Sequence, residues 1–337
     1  MGKNLTNNLS DLLRAIIPVA GLGSRLKPHT HTIPKVLLNV GGKPILGHIL
    51  DKLLAEGITK ATFIYGHLGE LIIKYIAENY PDLQADFVEQ KELEGLGHAI
   101  YTAIPTFDDE EIFIILGDTI FDVNLENVFI KKQNSLGVKY VEDPSRFGVA
   151  LMTNGYIEKL IEKPKTLISH LALVGLYYIS NADALKKCLT TLVEKDIRTN
   201  GELQLTDALQ MMIDDGEKFT TFSVDGWYDC GKPETLLSTN QYLLKEKSTD
   251  VSIPTVIINQ PVFIAETAVI ENSVIGPFAT IGENAKVSES IIKNSIVGAQ
   301  AEVCKSLLEN SIVGRHSLIN GSFKRLNTGD STELDFY

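Results

Sequence analysis

The chain has 337 residues, of which 44% are hydrophobic and 22% are charged, as in water-soluble globular proteins of one large or two ordinary domains. Its formal net charge of −12 argues against nucleic-acid binding, because that function leaves a basic footprint. An anionic small substrate is compatible with this charge only where lysines and arginines are concentrated locally.

From Ala15 to about Glu246, short apolar strands alternate with helical patterns. The first strands are predicted at Ile16–Ala20, Thr62–Tyr65, Ala85–Val88 and Ile112–Leu116. The helices between them are predicted at Ile45–Leu54, Leu68–Asn79 and Leu96–Ile104. This order predicts an α/β fold with a mostly parallel sheet, helices on both faces and ligands at the carboxyl ends of the strands.

The pattern changes in the next part of the chain. Phe147–Met152, Tyr156–Ile161 and Leu171–Ile179 are predicted as shorter strands of a mixed-sheet insertion that carries substrate contacts. Helices follow at Ala182–Val193, Leu205–Ile213 and Pro233–Lys247.

Beyond residue 251 the sequence becomes periodic, with aliphatic residues in steps of five or six. These positions are Ile264, Ile270, Ile275, Ile281, Val287, Ile292, Val297, Val303, Leu308, Val313 and Ile319. Three steps make one coil, so Ile281, Val297 and Val313 are expected to be equivalent. Serines also repeat between them. A β-sandwich with irregular strands does not explain this spacing, so we predict a solenoid of three to four coils.

The segment Ala15–Arg25 combines an apolar strand with a two-glycine turn and a cation, and Lys35 follows ten residues later. A turn without side chains lets a polyphosphate approach the backbone, and two cations neutralise its charge. The segment is not a dinucleotide fingerprint, because Leu26 stands at the last glycine position, and no Gly-Lys-Ser/Thr makes it a P-loop. The predicted nucleotide-binding residues of this turn are Ala20, Gly21, Gly23 and Ser24.

Two further strand ends carry side chains suited to nucleotide chemistry. Gln90 follows a predicted strand, and its amide offers a donor and an acceptor that match the N–H and C=O edge of thymine, uracil or guanine. Asp118 follows another strand, and Asp229 lies in a distant Trp-Tyr-Asp-Cys-Gly string. Each aspartate alone is often a turn residue, but two carboxylates suffice for Mg²⁺, which keeps waters and phosphate oxygens as ligands.

These motifs resemble, in order and over roughly Ala15–Leu326, those of the sugar-1-phosphate nucleotidyltransferases. The resemblance is greatest to the long form of glucose-1-phosphate thymidylyltransferase, with a C-terminal left-handed β-helix. It implies a Rossmann-like catalytic domain at 14–247 and a short left-handed parallel β-helix at 248–323. An N-terminal extension, 1–13, and a C-terminal tail, 324–337, would flank them.

The resemblance also implies a role for each candidate residue. Arg25 and Lys35 would be catalytic and bind the leaving pyrophosphate and the α-phosphate, while Asp118 and Asp229 would hold Mg²⁺. Gln90 and Gly95 would contact the base. The sugar phosphate would be bound by Gly148, Glu162, Lys163 and Gly175. Cys230 stands where relatives often carry threonine, and it is interpreted as a packing variant.

The expected reaction joins a nucleoside triphosphate and a sugar 1-phosphate, with dTTP or UTP and glucose 1-phosphate as the first candidates. Mannose-1-phosphate guanylyltransferase and a catalytically silent paralogue that binds sugar nucleotides remain alternatives. An acyltransferase is disfavoured, because three to four coils leave little room for an acyl-donor cleft and His316 is the only histidine in the repeat.

The remaining composition bears on compartment and partners. Cys188, Cys230 and Cys304 form no C-x-x-C pair, which fits a reducing compartment and excludes a cysteine zinc site. No segment reaches the length of a transmembrane helix, and the first ten residues are polar and unlike a signal peptide. We therefore expect a cytoplasmic homo-oligomer without membrane or nucleic-acid partners.

Overall fold

The computed structural model describes residues 13–107, 111–248 and 250–321. Within them, contacts divide the chain into a first unit, residues 13–39 and 43–239, and a second unit, residues 40–42 and 240–321. The predicted N-terminal extension, apart from Leu13, and the predicted tail lie outside the described residues. No described helix combines the length and apolar character needed to cross a membrane.

The described strands before residue 240 include all seven predicted ones and six that sequence analysis did not predict. They are β1 Leu13–Pro18, β2 Asn39–Val40, β3 Lys43–Pro44, β4 Lys60–Tyr65, β5 Gln84–Glu89, β6 Glu111–Ile115, β7 Thr119–Asp122, β8 Ser135–Tyr140, β9 Gly148–Thr153, β10 Tyr156–Glu162, β11 Leu171–Ile179, β12 Thr220–Ser223 and β13 Gly226–Asp229. The α-helices are α1 Ile45–Ala55, α2 Gly69–Asn79, α3 Leu96–Thr102, α4 Glu126–Phe129, α5 Ala182–Glu194, α6 Leu205–Asp214 and α7 Pro233–Glu246. Short 3₁₀ turns lie at Ser24–Leu26, His29–His31, Lys35–Leu37 and Ile104–Thr106.

A nine-stranded sheet forms the centre of the first unit. Its main path is β10-β9-β11-β6-β1-β4-β5, with β8 paired to β11 and β12 paired to β8. The strands β6, β1, β4 and β5 are parallel neighbours, which confirms the predicted α/β sheet. Their carboxyl ends meet at one edge, where the loops after β1, β4, β5 and β6 come together.

The strands predicted as an insertion are part of this same sheet. β11 pairs antiparallel with β6 through Tyr178 and Phe113, and β9 and β10 continue the sheet beyond β11. All residues of β11 after Leu171 are buried. A strand buried on both faces belongs inside a sheet, and this explains why its sequence is continuously apolar.

The second unit contains twelve short strands. They are β14 Ile257–Ile258, β15 Val262–Ile264, β16 Val269–Glu271, β17 Val274–Ile275, β18 Ala279–Ile281, β19 Lys286–Ser288, β20 Ile291–Lys293, β21 Ile296–Val297, β22 Glu302–Cys304, β23 Leu307–Glu309, β24 Ile312–Val313 and β25 Leu318–Asn320. They form three parallel four-stranded sheets in which every third strand is a neighbour, as a β-helix requires. Val297 pairs with both Ile281 and Val313, so the predicted equivalence of these three positions is confirmed.

The interior of this β-helix explains the periodic sequence. The eleven predicted aliphatic positions all belong to one apolar core, with nine of them buried and Leu308 and Ile319 partly buried. The repeated serines serve the backbone: Ser273 Oγ accepts from Ser290 N, and Ser290 Oγ accepts from Ser306 N, both at 3.1 Å. The stacked serines therefore satisfy backbone donors at the corners of successive coils.

Candidate active site

The turn after β1 is shaped by Gly23. Its φ is +59°, and a Cβ there would lie 2.9 Å from Thr30 Cγ2 and 3.0 Å from Lys35 Cβ. Thr30 Oγ1 donates to Gly23 O at 2.9 Å and fixes the turn from the other side. Because both conformation and space exclude a side chain at Gly23, the turn stays close to Lys35 and leaves its backbone accessible.

A two-stranded ribbon brings the two predicted metal ligands together. β7 and β13 run antiparallel, with Thr119 opposite Asp229, and Cys230 N donates to Asp118 O at 3.1 Å. Asp118 immediately precedes β7 and Asp229 ends β13, so both carboxylates lie at the same end of the ribbon. Each strand has only four residues, and sequence periodicity over such a length does not predict a strand.

The charges at this end of the ribbon are unbalanced. Lys35 Nζ donates to Asp118 Oδ2 at 2.6 Å, which leaves Asp229 without a direct ion pair among the described residues. Burial raises the pKa of the Asp229 carboxyl and the Asp118 charge raises it further, while Lys35, the Gly231 N–H and Arg25 oppose the shift. Among the described residues, Lys35 is the cation that forms an ion pair with one of these carboxylates, and a divalent cation would neutralise the carboxylate that this ion pair leaves out.

The donor set fits magnesium. It consists of carboxylate oxygens, and Mg²⁺ binds through one or two carboxylates while keeping waters and substrate phosphates as its other ligands. Across the described ranges, no group of three or more His, Cys, Asp and Glu residues is arranged to hold a metal. A site made of Asp118 and Asp229 would therefore depend on substrate and water for its remaining ligands.

Ten of the predicted site residues line one cavity of about 540 Å³ at the strand ends. They are Ala20, Gly21, Gly23, Ser24, Arg25, Lys35, Gln90, Gly95, Asp118 and Asp229. The cavity also has apolar walls that sequence analysis did not assign. Leu93 is one of them, and it is 50% exposed within an otherwise charged loop. Single exposed apolar residues are common on protein surfaces, so the sequence offered no signal for this wall.

Gln90 and Gly95 are held in a tightly packed corner of this cavity. Gln90 is 6% exposed, its backbone N donates to Tyr65 O at 2.8 Å, and its Nε2 donates to Gly95 O at 3.4 Å. Gly95 has φ +121°, and a Cβ there would lie 2.6 Å from Leu203 O. Glycine is therefore required at this position, where α3 begins against the backbone of residue 203.

The residues predicted to bind the sugar phosphate form a second group, outside the set that lines the cavity. Thr206 Oγ1 donates to Glu162 Oε2 at 2.7 Å, and Lys163 Nζ lies 3.4 Å from Glu162 Oε1. A Cβ on Gly148 would lie 3.0 Å from Glu162 Oε2, so a larger residue at position 148 would crowd this carboxylate. Gly175 O accepts from Leu116 N at 3.0 Å, and Leu116 lines the cavity. Gly175 therefore lies beside the wall of the cavity.

The surroundings of Glu162 include polar groups to which sequence analysis gave no firm role. Burial raises the pKa of Tyr177, with a smaller contribution from the Glu162 charge. Burial likewise raises the pKa of Asp207, and its Oδ2 has no hydrogen-bond partner among the described residues. Trp227 Nε1 is also buried without a hydrogen-bond partner among the described residues, and the Trp227 ring packs edge-on against Phe147. Buried polar atoms without a protein partner bind water, an ion or a ligand.

Cys230 is a packing residue in this structure. Its side chain is fully buried, and its thiol lies 3.8 Å from Thr239 Oγ1. Burial raises the pKa of the thiol to about 12, so it remains protonated and unreactive at neutral pH.

Residues 14–246 match the family model described as nucleotidyl transferase, and the chain belongs to this family. This match confirms the resemblance of the motifs to sugar-1-phosphate nucleotidyltransferases. The catalytic fold is also that of a solved structure of UDP-glucose pyrophosphorylase with UDP-glucose. At 23% identity, the TM-score is 0.61, with coverage of 70% of this chain and 100% of the other.

Three curated relatives show how far the similarity extends. The bifunctional protein GlmU of Methanocaldococcus jannaschii is 36% identical over 261 residues, which are 76% of this chain and 61% of the relative's length. UTP–glucose-1-phosphate uridylyltransferase AglF of Haloferax volcanii is 34% identical over 69% of this chain and 98% of its own. Glucose-1-phosphate thymidylyltransferase of Streptomyces antibioticus is 29% identical over 85% of this chain and 87% of its own.

Proposed function

We propose that the protein is a sugar-1-phosphate nucleotidyltransferase that forms an NDP-sugar and pyrophosphate from dTTP or UTP and glucose 1-phosphate. The observation that carries this proposal is the convergence on one cavity of the glycine turn, Lys35, two carboxylates and the Gln90 amide. A phosphate cradle, a cation, a metal-binding carboxylate pair and a base-sized corner are the parts that nucleotidyl transfer needs.

In the proposed reaction, a phosphate oxygen of the sugar phosphate attacks the α-phosphorus in line. The new bond joins that oxygen to the α-phosphorus, and the bond from the α-phosphorus to the bridging oxygen breaks to release pyrophosphate. The attacking oxygen is already anionic, so no general base is required. Catalysis then consists of positioning and charge neutralisation, which are assigned to the glycine turn, Arg25 and Lys35.

Asp118 and Asp229 would hold Mg²⁺, which when bound neutralises charge on the phosphates and helps to orient them. Lys35 would have two successive roles. In the free protein its ammonium group pairs with Asp118, and with substrate present it would turn towards the phosphates. The short ion pair holds the lysine in place before the substrate arrives.

The choice of pyrimidine nucleotides follows from the relatives and from the base corner. One relative is named a uridylyltransferase and another a thymidylyltransferase, and uracil and thymine differ by a single methyl group. Such a difference is worth about 1–3 kcal/mol in an apolar pocket, or roughly 10- to 200-fold in kcat/KM, and the proposal therefore keeps both nucleotides. The Glu162 carboxylate would accept hydrogen bonds from sugar hydroxyls, and Lys163 would neutralise the sugar phosphate.

The test is a pyrophosphate-release screen with Mg²⁺. It combines dTTP, UTP, GTP, CTP and ATP with the 1-phosphates of glucose, mannose and N-acetylglucosamine. We expect the highest kcat/KM for dTTP or UTP with glucose 1-phosphate. A preference for GTP with mannose 1-phosphate would refute the substrate assignment and leave the reaction standing. Absence of pyrophosphate release for every pair would refute the reaction and favour a silent binding protein.

A further inference from the structure

The loop between β5 and α3 brings one apolar side chain to the cavity. Of the described residues 91–94, which are Lys, Glu, Leu and Glu, Leu93 is the one that lines the cavity. A single exposed leucine is ordinary on an outer surface, but this residue is 50% exposed within a cavity. A loop that keeps its charged side chains out of the cavity wall and contributes its leucine to it offers a surface for an apolar part of a ligand.

The backbone of this loop is fixed on both sides of Leu93. Before it, His98 Nδ1 donates to Glu92 O at 3.1 Å. After it, Leu203 N donates to Glu94 O at 2.8 Å. The backbone therefore holds Leu93 at the cavity wall before a ligand arrives, and binding does not have to order the loop.

Leu93 lies at the end of the cavity away from the glycine turn. That turn follows β1 and the loop follows β5, and β4 lies between these two strands in the sheet. Two strand spacings separate the two strand ends by about 10 Å. Gln90 Nε2 donates to Gly95 O at 3.4 Å and closes the loop, so Leu93 is beside the two residues proposed to contact the base. An extended nucleotide with its phosphates at the glycine turn would therefore have its nucleoside at this loop.

We infer that Leu93 contacts the nucleoside of the bound nucleotide and contributes affinity that the phosphate-binding residues do not supply. This inference rests on the proposed function. The nucleoside covers the half-exposed leucine when the nucleotide binds, and removal of this apolar surface from water favours the complex. Because the nucleoside does not react, the contact is the same in the bound substrate and in the transition state. Leu93 therefore acts on nucleotide binding and not on the chemical step.

The experiment compares Leu93→Ala, Leu93→Met and Leu93→Gln. Alanine removes most of the apolar surface, and methionine keeps a side chain of similar volume and apolar character. Glutamine keeps the size of the side chain but replaces apolar surface by an amide, which is costly to remove from water. The matched control is Leu167→Ala, since Leu167 is 62% exposed between β10 and β11 and is outside the set of residues that lines the cavity.

Dissociation constants of the Mg²⁺ complexes of UTP, dTTP and inorganic tripolyphosphate are measured by calorimetry without sugar phosphate, so turnover is not required. We expect Leu93→Ala and Leu93→Gln to weaken the binding of UTP and dTTP about fivefold and to leave that of tripolyphosphate unchanged, while Leu93→Met and Leu167→Ala bind all three as the wild type does. Unchanged nucleotide affinity in Leu93→Ala would overturn the inference, and so would an equal loss for tripolyphosphate, which would show a merely structural role.

Melting temperatures identify a variant that fails to fold. If Leu93→Ala is such a variant, the comparison of Leu93→Gln with Leu93→Met decides. A loss of nucleotide affinity in Leu93→Gln alone supports the inference, and equal nucleotide affinities of the two variants overturn it.

The outcome for the wild-type protein separates this inference from the proposed function. If the wild type releases pyrophosphate from UTP or dTTP and Leu93→Ala binds both nucleotides as the wild type does, only the role of Leu93 is wrong. If the wild type binds UTP and dTTP no more tightly than tripolyphosphate, the nucleoside end of the cavity is wrongly assigned, and the inference falls with it. If no substrate pair releases pyrophosphate but nucleotide binding depends on Leu93, the reaction is refuted and the contact stands.

Discussion

The two units of the chain treat their charged groups in opposite ways. On the outside of the β-helix, cations of one coil meet anions of the next: Lys286 pairs with Glu302 and Lys293 with Glu309, each at 2.7 Å. In the cavity of the first unit, Lys35 pairs with Asp118, and burial together with the Asp118 charge raises the pKa of the unpaired Asp229. A partly buried charged side chain without an ion-pair partner indicates a ligand site better than a large number of charged side chains does.

The backbone shows the same contrast. In the β-helix, serine hydroxyls and neighbouring coils satisfy the donors at the corners, as Ser290 does for Ser306. In the first unit, the turn at Gly21 lies open, because nothing is within 4 Å of where its Cβ would be. The serine corners of the β-helix thus have their backbone donors satisfied within the chain, whereas the turn at Gly21 leaves space next to the backbone.

The largest expected effect comes from Lys35→Ala. This variant removes the cation assigned to the phosphates, and we expect kcat to fall by about 100- to 1,000-fold with little change in the KM for the sugar phosphate. Steady-state pyrophosphate release measures both constants. Lys74→Ala, on the exposed face of α2, is the control and should keep full activity. Full activity of Lys35→Ala would refute the assignment of Lys35 to the phosphates.

The core of the β-helix should respond through stability. Ile292 is fully buried in the stacked aliphatic core, and Ile292→Ala should lower the free energy of unfolding by about 3 kcal/mol. The neighbouring residue Ile291 points outward from the same strand and is 46% exposed, so Ile291→Ala should cost less than about 1 kcal/mol. Urea unfolding of the whole chain, followed by circular dichroism, compares the two. If both variants lost the same free energy of unfolding, the buried periodic residues would not be the main source of stability of the β-helix.

Thr206→Val tests whether Glu162, which lies outside the cavity, belongs to the binding site for the sugar phosphate. Valine keeps the shape of threonine but removes the hydroxyl that donates to Glu162 Oε2. We expect the KM for the sugar phosphate to rise about five- to tenfold, which corresponds to about 1 kcal/mol for one lost hydrogen bond, while the KM for the nucleotide stays constant. Thr190→Val, on α5, is the control. A rise confined to the nucleotide KM would contradict the assignment of Glu162 to the sugar.

The sequence predicted most of the repeating elements and the residues at strand ends. The boundaries of α1, α2, β10 and β11 are right to within a residue or so, because periodic burial determines them. The ribbon of β7 and β13 was missed, since four residues give no usable period. The hydrogen bond from Thr206 to Glu162 was also missed, because it joins positions far apart in sequence. Local patterns therefore identify the parts of a site, and tertiary pairing determines which of them meet.

The smallest expected effect concerns the charged ladder on the outside of the β-helix. The side chains of Lys293 and Glu309 are about half exposed, at 51% and 48%, so water and salt screen their attraction. Lys293→Ala should therefore change the free energy of unfolding by no more than about 0.5 kcal/mol, and the double variant with Glu309→Ala isolates the pair. If the coupling energy exceeds about 1 kcal/mol and persists in 1 M salt, the ladder is structurally essential. In that case, the balanced charges on the β-helix would contribute measurably to stability, contrary to the expectation for exposed ion pairs.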